Sequence, residues 1–125
     1  MFQKLIWLAL AGAAGTFARY GLGGLVQKIT GTTFPLGTLV VNLSGCLAFG
    51  LVWSLAEERN LIHSPARTII LIGFLGAFTT FSSFIFETGG LIRDSQWLAA
   101  IANMMAQNIA GLAFFFVGLT LGRMI

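Results

Sequence analysis

Four long apolar stretches fill almost all of this 125-residue chain, and they restrict its fold more than any other feature. A helix needs roughly 20 predominantly apolar residues to cross a hydrocarbon core about 30 Å thick. The stretches lie at about residues 4–27, 37–57, 66–91 and 97–123, with short connections between them. Only 9% of the residues are charged, whereas soluble domains are about a quarter charged. We therefore predict an all-α membrane protein in which residues 1–125 form one domain of four transmembrane helices.

The basic residues are divided almost evenly between the two ends of the predicted helices. An even number of spans places both termini on one side of the membrane. That side carries Lys4, Arg59, Arg67 and Arg123, and the other side carries Lys28 and Arg93. The Lys/Arg bias that orients a membrane protein is therefore weak and permits insertion both ways round. Charge alone leaves a single orientation and a dual orientation both open.

Small residues are frequent in the predicted helices, and the chain contains 16 glycines. Pairs such as Gly118 and Gly122, four residues apart, let helix backbones approach closely. Four helices of this length are also too few to enclose an aqueous path alone. We therefore predict a homo-oligomer, most simply a dimer.

The number of residues between a polar residue and the end of its span, multiplied by the helical rise, gives its depth in the membrane. By this measure the polar residues extend from one membrane surface toward the midplane. Arg19, Asn42, Glu87 and Asn103 fall near the side without termini and predict a vestibule there. Thr80, Ser83, Gln107 and Asn108 continue the gradient toward the midplane. Each amide or hydroxyl could equally form a hydrogen bond that holds two helices together. Arg19 could pair with Glu87 or attract an anion, and both hypotheses stay open at this point.

The third span contains an unusual segment, residues 73–84, with the sequence GFLGAFTTFSSF. Two glycines precede four hydroxyl residues, so the helix can break and release backbone groups that bind ions. Phe81 and Phe84 lie beside the hydroxyls. An aromatic ring is electropositive at its edge, so the two rings could help hold a small anion. By themselves, two phenylalanines in a membrane helix are more typical of lipid-facing or core positions.

Residues 37–42 read GTLVVN, and residues 76–84 read GAFTTFSSF. The first segment is similar to the motif Gly-Thr-Leu-x-Val-Asn, and the second resembles the third-helix segment Thr-Phe-Ser-Thr-Phe-Ser, of the Fluc (CrcB) family of fluoride channels. Arg19 follows Gly12 and Gly15 as a basic residue does in the first helix of the family. Ser83 stands where the family has threonine, and Ile85 replaces its final serine.

The resemblance implies an antiparallel, dual-topology homodimer with a broken third helix in the bacterial inner membrane. Toxic cytoplasmic fluoride would leave the cell passively through two pores per dimer. The implied pore residues are Asn42, Thr80, Phe81, Ser82, Ser83, Phe84 and Asn108, and Glu87 matches an acidic vestibule position. The backbone carbonyls of Gly76 and Thr79 would hold a structural sodium ion at the dimer interface. Fluoride, a second copy of the chain and the lipid bilayer are the expected partners.

Two other functions are alternatives to a channel. A small multidrug exporter, also a four-helix antiparallel dimer, needs a carboxylate in the first span, and this chain has Arg19 and no acid there. A subunit that only assembles a larger membrane complex would explain the glycines but not the hydroxyl and phenylalanine segment. An enzyme is not expected, because the single His63 has no partner residues that form a catalytic or metal constellation. The basic residues suit lipid headgroups rather than nucleic acid.

Overall fold

The computed structural model describes residues 1–125 and consists of four long helices joined by short connections. They are α1 (Phe2–Thr30), α2 (Leu36–Glu58), α3 (Ala66–Arg93) and α4 (Trp97–Met124). Each helix is long and apolar enough to cross a membrane. The prediction of an all-helical chain with four such segments is confirmed, and each helix extends a few residues beyond its predicted bounds at one or both ends.

The side chain of Gln27 bridges the connection between α1 and α2. Gly31 ends α1 in the left-handed conformation with φ 59°, where glycine carries no steric penalty. Gln27 Nε2 then donates to the carbonyl of Phe34 (3.1 Å), and Gln27 Oε1 accepts from the Gly37 N–H (3.1 Å). These bonds satisfy a carbonyl of the connection and an N–H group that the start of α2 leaves free.

Helices α2 and α4 form the most extensive helix pair in the chain, and glycines set their separation. A Cβ atom on Gly50 would overlap the carbonyl oxygen of Phe115, and one on Gly118 would overlap that of Leu47. Gly122 in turn lies against Ser54. The small-residue face at Gly118 and Gly122 therefore serves packing within the chain, where the sequence had suggested contact between copies.

Helix α3 has a non-helical step of two residues, Thr79 and Thr80. The helix runs from Ala66 to Phe78 and resumes over Phe81–Arg93. Between them, Thr79 has φ −81° and ψ 159°, and Thr80 has φ −150° and ψ 119°, both extended. The first half of α3 packs against α1, and the second half packs against the start of α4. The step therefore lies where α3 changes partners.

Ion pairs join the helix ends on the side of the termini. Arg123 donates twice to Glu58, from Nε and from Nη2, at 2.8 Å each. The buried hydroxyl of Ser54 also donates to Glu58 (2.9 Å). Arg67 at the start of α3 pairs with Glu57 at the end of α2. These contacts tie α2 to both α3 and α4 at one membrane surface.

Candidate functional site

Two cavities meet at the Thr79–Thr80 step of α3. The first, called the vestibule here, has a volume of about 540 Å³ and lies beside the connection between α1 and α2. The second, called the phenylalanine cavity, has a volume of about 460 Å³ and lies between α2, α3 and α4. Thr80 lines both cavities, although only 8% of its surface is exposed. The predicted residues that line the vestibule are Arg19, Thr80, Ser83 and Glu87, and those that line the phenylalanine cavity are Asn42, Thr79, Thr80, Phe81, Phe84, Gln107 and Asn108.

The vestibule contains one charge of each sign. Arg19 and Glu87 both line it, but they form no ion pair in the chain. Glu87 Oε1 instead accepts from the Thr38 hydroxyl (2.7 Å), and its Oε2 is buried without a partner. A buried oxygen without a hydrogen bond is costly, so Glu87 is poised to accept another donor. Arg19 is correspondingly free to face an anion.

Thr80 organises the step between the cavities through its backbone and its hydroxyl. Its N–H donates to Asn42 Oδ1 (2.8 Å), and its carbonyl accepts from Asn42 Nδ2 (2.9 Å). Its hydroxyl oxygen accepts from the Ser83 N–H (3.2 Å), which caps the second half of α3. The same hydroxyl donates to Ser83 Oγ (3.0 Å). Gly45 makes room for the step, because a side chain there would overlap the methyl group of Thr79.

Phe81 and Phe84 form an edge-to-face pair in the phenylalanine cavity. Their ring centroids lie 5.7 Å apart, and the ring planes meet at 65°. Phe84 is buried at 5% exposure, whereas Phe81 is 73% exposed on the surface of the single chain. No charged residue lines this cavity. An anion here would therefore meet ring edges, amides and hydroxyls rather than a fixed positive charge.

Gln107 is the residue of α4 whose side-chain amide contacts Asn42. The resemblance to the fluoride channel motifs did not assign it to the pore. Its Oε1 accepts from Asn42 Nδ2 (3.0 Å), and its Nε2 is buried without a partner. Asn108 lines the same cavity, but its Nδ2 donates to the Met104 carbonyl of its own helix (2.8 Å). The depth gradient of the polar residues had included Gln107, whereas the motif resemblance had assigned only Asn108 on this helix.

Three other predicted residues line neither cavity. Asn103, expected in the vestibule, has 0% exposure and donates to the Thr88 hydroxyl (2.9 Å) between α3 and α4. Ser82 and Gly76 are exposed on the surface of the chain. All three therefore lie beside the cavities rather than in them.

Several backbone carbonyls at the step lack their helical donors, and those of Gly76 and Thr79 are among them. In an α-helix the N–H of residue i+4 donates to the carbonyl of residue i. The Gly76 carbonyl loses this bond because the Thr80 N–H donates to Asn42. The Thr79 carbonyl loses it because the Ser83 N–H donates to the Thr80 hydroxyl. Free carbonyl oxygens at membrane depth suit a small cation, so these two residues fit the predicted sodium site.

Comparison with known proteins extends over the whole chain. Residues 6–119 match the model of the family described as CrcB-like protein, Camphor Resistance (CrcB). A protein of Solidesulfovibrio magneticus named fluoride-specific ion channel FluC is 57% identical over 125 residues, which is the full length of both chains. Proteins of the same name from Nitrosococcus oceani and Desulforapulum autotrophicum are 54% and 50% identical, again over the full length of both chains. The chain therefore belongs to the CrcB-like family.

Proposed function

We propose that this chain is a fluoride-selective ion channel through which toxic cytoplasmic fluoride leaves the cell passively. The observation that carries the proposal is the position of Thr80, which lines both the vestibule and the uncharged phenylalanine cavity. Full-length similarity to proteins named fluoride-specific ion channels supports the choice of ion. The membrane residence that a channel needs agrees with four helices of spanning length.

The phenylalanine cavity offers the chemistry that a small, strongly hydrated anion requires. Fluoride accepts hydrogen bonds strongly, so Gln107 Nε2 and the second Asn108 N–H can replace part of its water in this cavity. The Ser83 hydroxyl, which accepts from Thr80 and keeps its own hydrogen, can do the same from the adjoining vestibule. The edges of Phe81 and Phe84 add weak electropositive contacts. Because no fixed charge lines the cavity, binding stays moderate and the ion can also leave.

The vestibule would supply the anion to this cavity. Arg19 raises the local concentration of anions at the wide mouth by its positive charge. Thr80 and Ser83 continue the wall inward with hydroxyl groups. Glu87 sits on the same wall, where its bond from Thr38 holds one oxygen and leaves the other for a donor or a passing cation.

A second copy of the chain would complete the pore in an antiparallel, dual-topology homodimer with two pores. Ser82 and Asn108 are exposed on the single chain at membrane depth, as is the backbone at Gly76. Polar groups at that depth need a protein partner, because lipid cannot satisfy them. Phe81, 73% exposed beside a polar cavity, belongs to the same surface. The near-even distribution of Lys and Arg permits the opposite orientations that such a dimer requires.

A structural sodium ion would be held at the dimer interface by the carbonyls of Gly76 and Thr79 from both copies. Both are among the carbonyls that the step deprives of helical donors. Four neutral oxygens neutralise no charge, so the site suits a monovalent cation that packing shields from both solutions. The ion would supply positive charge between the two α3 helices when bound.

Fluoride efflux from proteoliposomes that contain only this protein tests the proposed function. We expect rapid passive efflux that needs neither ATP nor a proton gradient. A small multidrug exporter would instead need a proton gradient and a cationic substrate. A subunit that only assembles a larger complex would give no efflux. Either of the last two results would overturn the proposal.

A further inference from the structure

The side-chain amide of Asn42 is fully occupied within the chain. Its Nδ2 has two hydrogens, and these donate to the Thr80 carbonyl (2.9 Å) and to Gln107 Oε1 (3.0 Å). Its Oδ1 accepts from the Thr80 N–H (2.8 Å). Both hydrogens are therefore already used by protein acceptors, which leaves no free N–H for an anion in the pore. The resemblance had placed this residue in the pore lining, and these bonds indicate an additional task.

Asn42 takes the place of the backbone partners that α3 lacks at the step. A residue inside a helix exchanges one N–H bond and one carbonyl bond with its own helix. Thr80 makes both bonds with a single side chain of α2 instead. Buried backbone groups without partners are costly at membrane depth, so Thr80 can leave the helical conformation only where such a substitute exists.

The partner that Thr80 gives up is a carbonyl of the candidate cation site. If the Thr80 N–H were released by Asn42, its helical acceptor would be the carbonyl of Gly76, four residues earlier. Gly76 already has helical torsions, φ −63° and ψ −34°, so continuation of the helix requires only Thr79 and Thr80 to change. If the helix continued, the Gly76 carbonyl oxygen would accept from the Thr80 N–H and would no longer be free to bind a cation.

We propose that Asn42 is a positioning residue that holds Thr80 out of the helix and thereby reserves the Gly76 carbonyl for the structural cation. This inference rests on the sodium site advanced under the proposed function. In this arrangement Thr80 links the wall of the pore to the sodium site at the dimer interface. Asn42 also orients Gln107, because an amide that presents Oδ1 to the Thr80 N–H must present Nδ2 to Gln107 Oε1.

The test measures the thermal stability of the purified full-length protein in nanodiscs against sodium concentration. N-methylglucamine replaces sodium, and no fluoride is present. A ligand that binds only the folded state raises its stability in proportion to the logarithm of one plus the ratio of its concentration to its Kd, so a fit of this relation gives the sodium Kd. With fluoride absent, a residue that only binds fluoride has no ligand and cannot shift the sodium Kd. The sodium Kd therefore distinguishes a residue that positions Thr80 from one that only binds fluoride.

Asn42→Ala is expected to raise the sodium Kd about tenfold or more, because the Thr80 N–H then competes for the Gly76 carbonyl. Asn103→Ala is the matched control, since Asn103 is also an amide that joins a neighbouring helix to α3, but it bonds to Thr88 and not to Thr80. We expect its sodium Kd to stay within about twofold of the wild-type value. If Asn42→Ala does not fold, Asn42→Ser replaces it with the same expectation, because the shorter hydroxyl cannot bridge both groups of Thr80.

Asn42→Asp provides a second, opposite test. A carboxylate keeps an acceptor for the Thr80 N–H, so Asn42→Asp should retain a sodium Kd near that of Asn108→Asp, which places the same charge in the same cavity. Equal sodium Kd values in Asn42→Ala and Asn103→Ala would overturn the inference, as would a tenfold difference between Asn42→Asp and Asn108→Asp. Wild-type stability independent of sodium would overturn the cation site and this inference with it, while the efflux assay still decides the channel function separately.

Discussion

Phe81 and Phe84 pack edge to face, with ring centroids 5.7 Å apart and ring planes at 65°. We expect Phe81→Ile and Phe84→Ile each to reduce fluoride flux about tenfold or more, which corresponds to a barrier increase of about 1.4 kcal/mol. Isoleucine keeps apolar bulk and removes the electropositive edge. Efflux from proteoliposomes measures the change. Phe86→Ile is the control, because Phe86 is exposed on the same half of α3 and lines neither cavity. Wild-type flux in both test variants would exclude a role for the rings.

The amide of Gln107 should matter more to flux than that of Asn108. Gln107→Leu removes the buried Nε2 donor and also leaves one hydrogen of Asn42 Nδ2 without an acceptor. Asn108→Leu removes a side chain bonded only to its own helix. We expect the first substitution to reduce fluoride efflux several-fold more than the second, at equal amounts of reconstituted protein. A larger reduction of efflux by Asn108→Leu than by Gln107→Leu would identify Asn108 as the main hydrogen-bond donor to fluoride on α4.

Contact between α2 and α4 should not tolerate a side chain at Gly118. The added Cβ of Gly118→Ala would overlap the Leu47 carbonyl, and overpacking of this kind typically costs about 1–3 kcal/mol. A lower melting temperature of the purified protein would show this cost. Gly21→Ala is the control, since nothing lies near a Cβ at that position and alanine favours a helix. A melting temperature for Gly118→Ala at or above that of Gly21→Ala would contradict the close approach.

Dual topology predicts a mixed population in the cell membrane. With Cys46 replaced by serine, Lys28→Cys places the only thiol beside the connection between α1 and α2. A membrane-impermeant thiol reagent applied to intact cells should modify only part of the protein, and permeabilisation should expose the rest. Complete labelling from outside, or complete protection that permeabilisation removes, would demonstrate one orientation.

Exhaustive sodium removal should abolish fluoride flux if the carbonyls of Gly76 and Thr79 hold a structural ion. Proteoliposomes prepared and dialysed with N-methylglucamine in place of sodium provide the measurement. Restored sodium should return the flux in protein that has not unfolded. Full activity after depletion, together with no ordered density between the two α3 helices in an experimental structure, would eliminate this site and leave the proposed pores intact.

Position in the sequence predicts how deep a polar residue lies in the membrane, but it does not always predict which side of the helix the residue occupies. Asn103 was placed in the vestibule by its depth, yet its face of α4 packs against Thr88. Gln107 and Asn108 are neighbours with nearly equal depth, but one helical residue rotates the side chain by about 100°. The wide π-helical turn at Ala106–Ala110 changes that rotation further, and no local pattern revealed it.

The sequence by itself determined the four helices, because hydropathy and length are local properties that a bilayer selects directly. It also indicated the unusual third span, since glycines and hydroxyls in the midst of an apolar helix are visible without any fold. The packing of the helices sets the relations around Thr80: Asn42 bonds both of its backbone groups, Thr80 lies between two cavities, and the Gly76 carbonyl loses its donor. The bonds between Asn42 and Thr80 join residues 38 positions apart, and they arise from how α2 and α3 pack rather than from either segment alone.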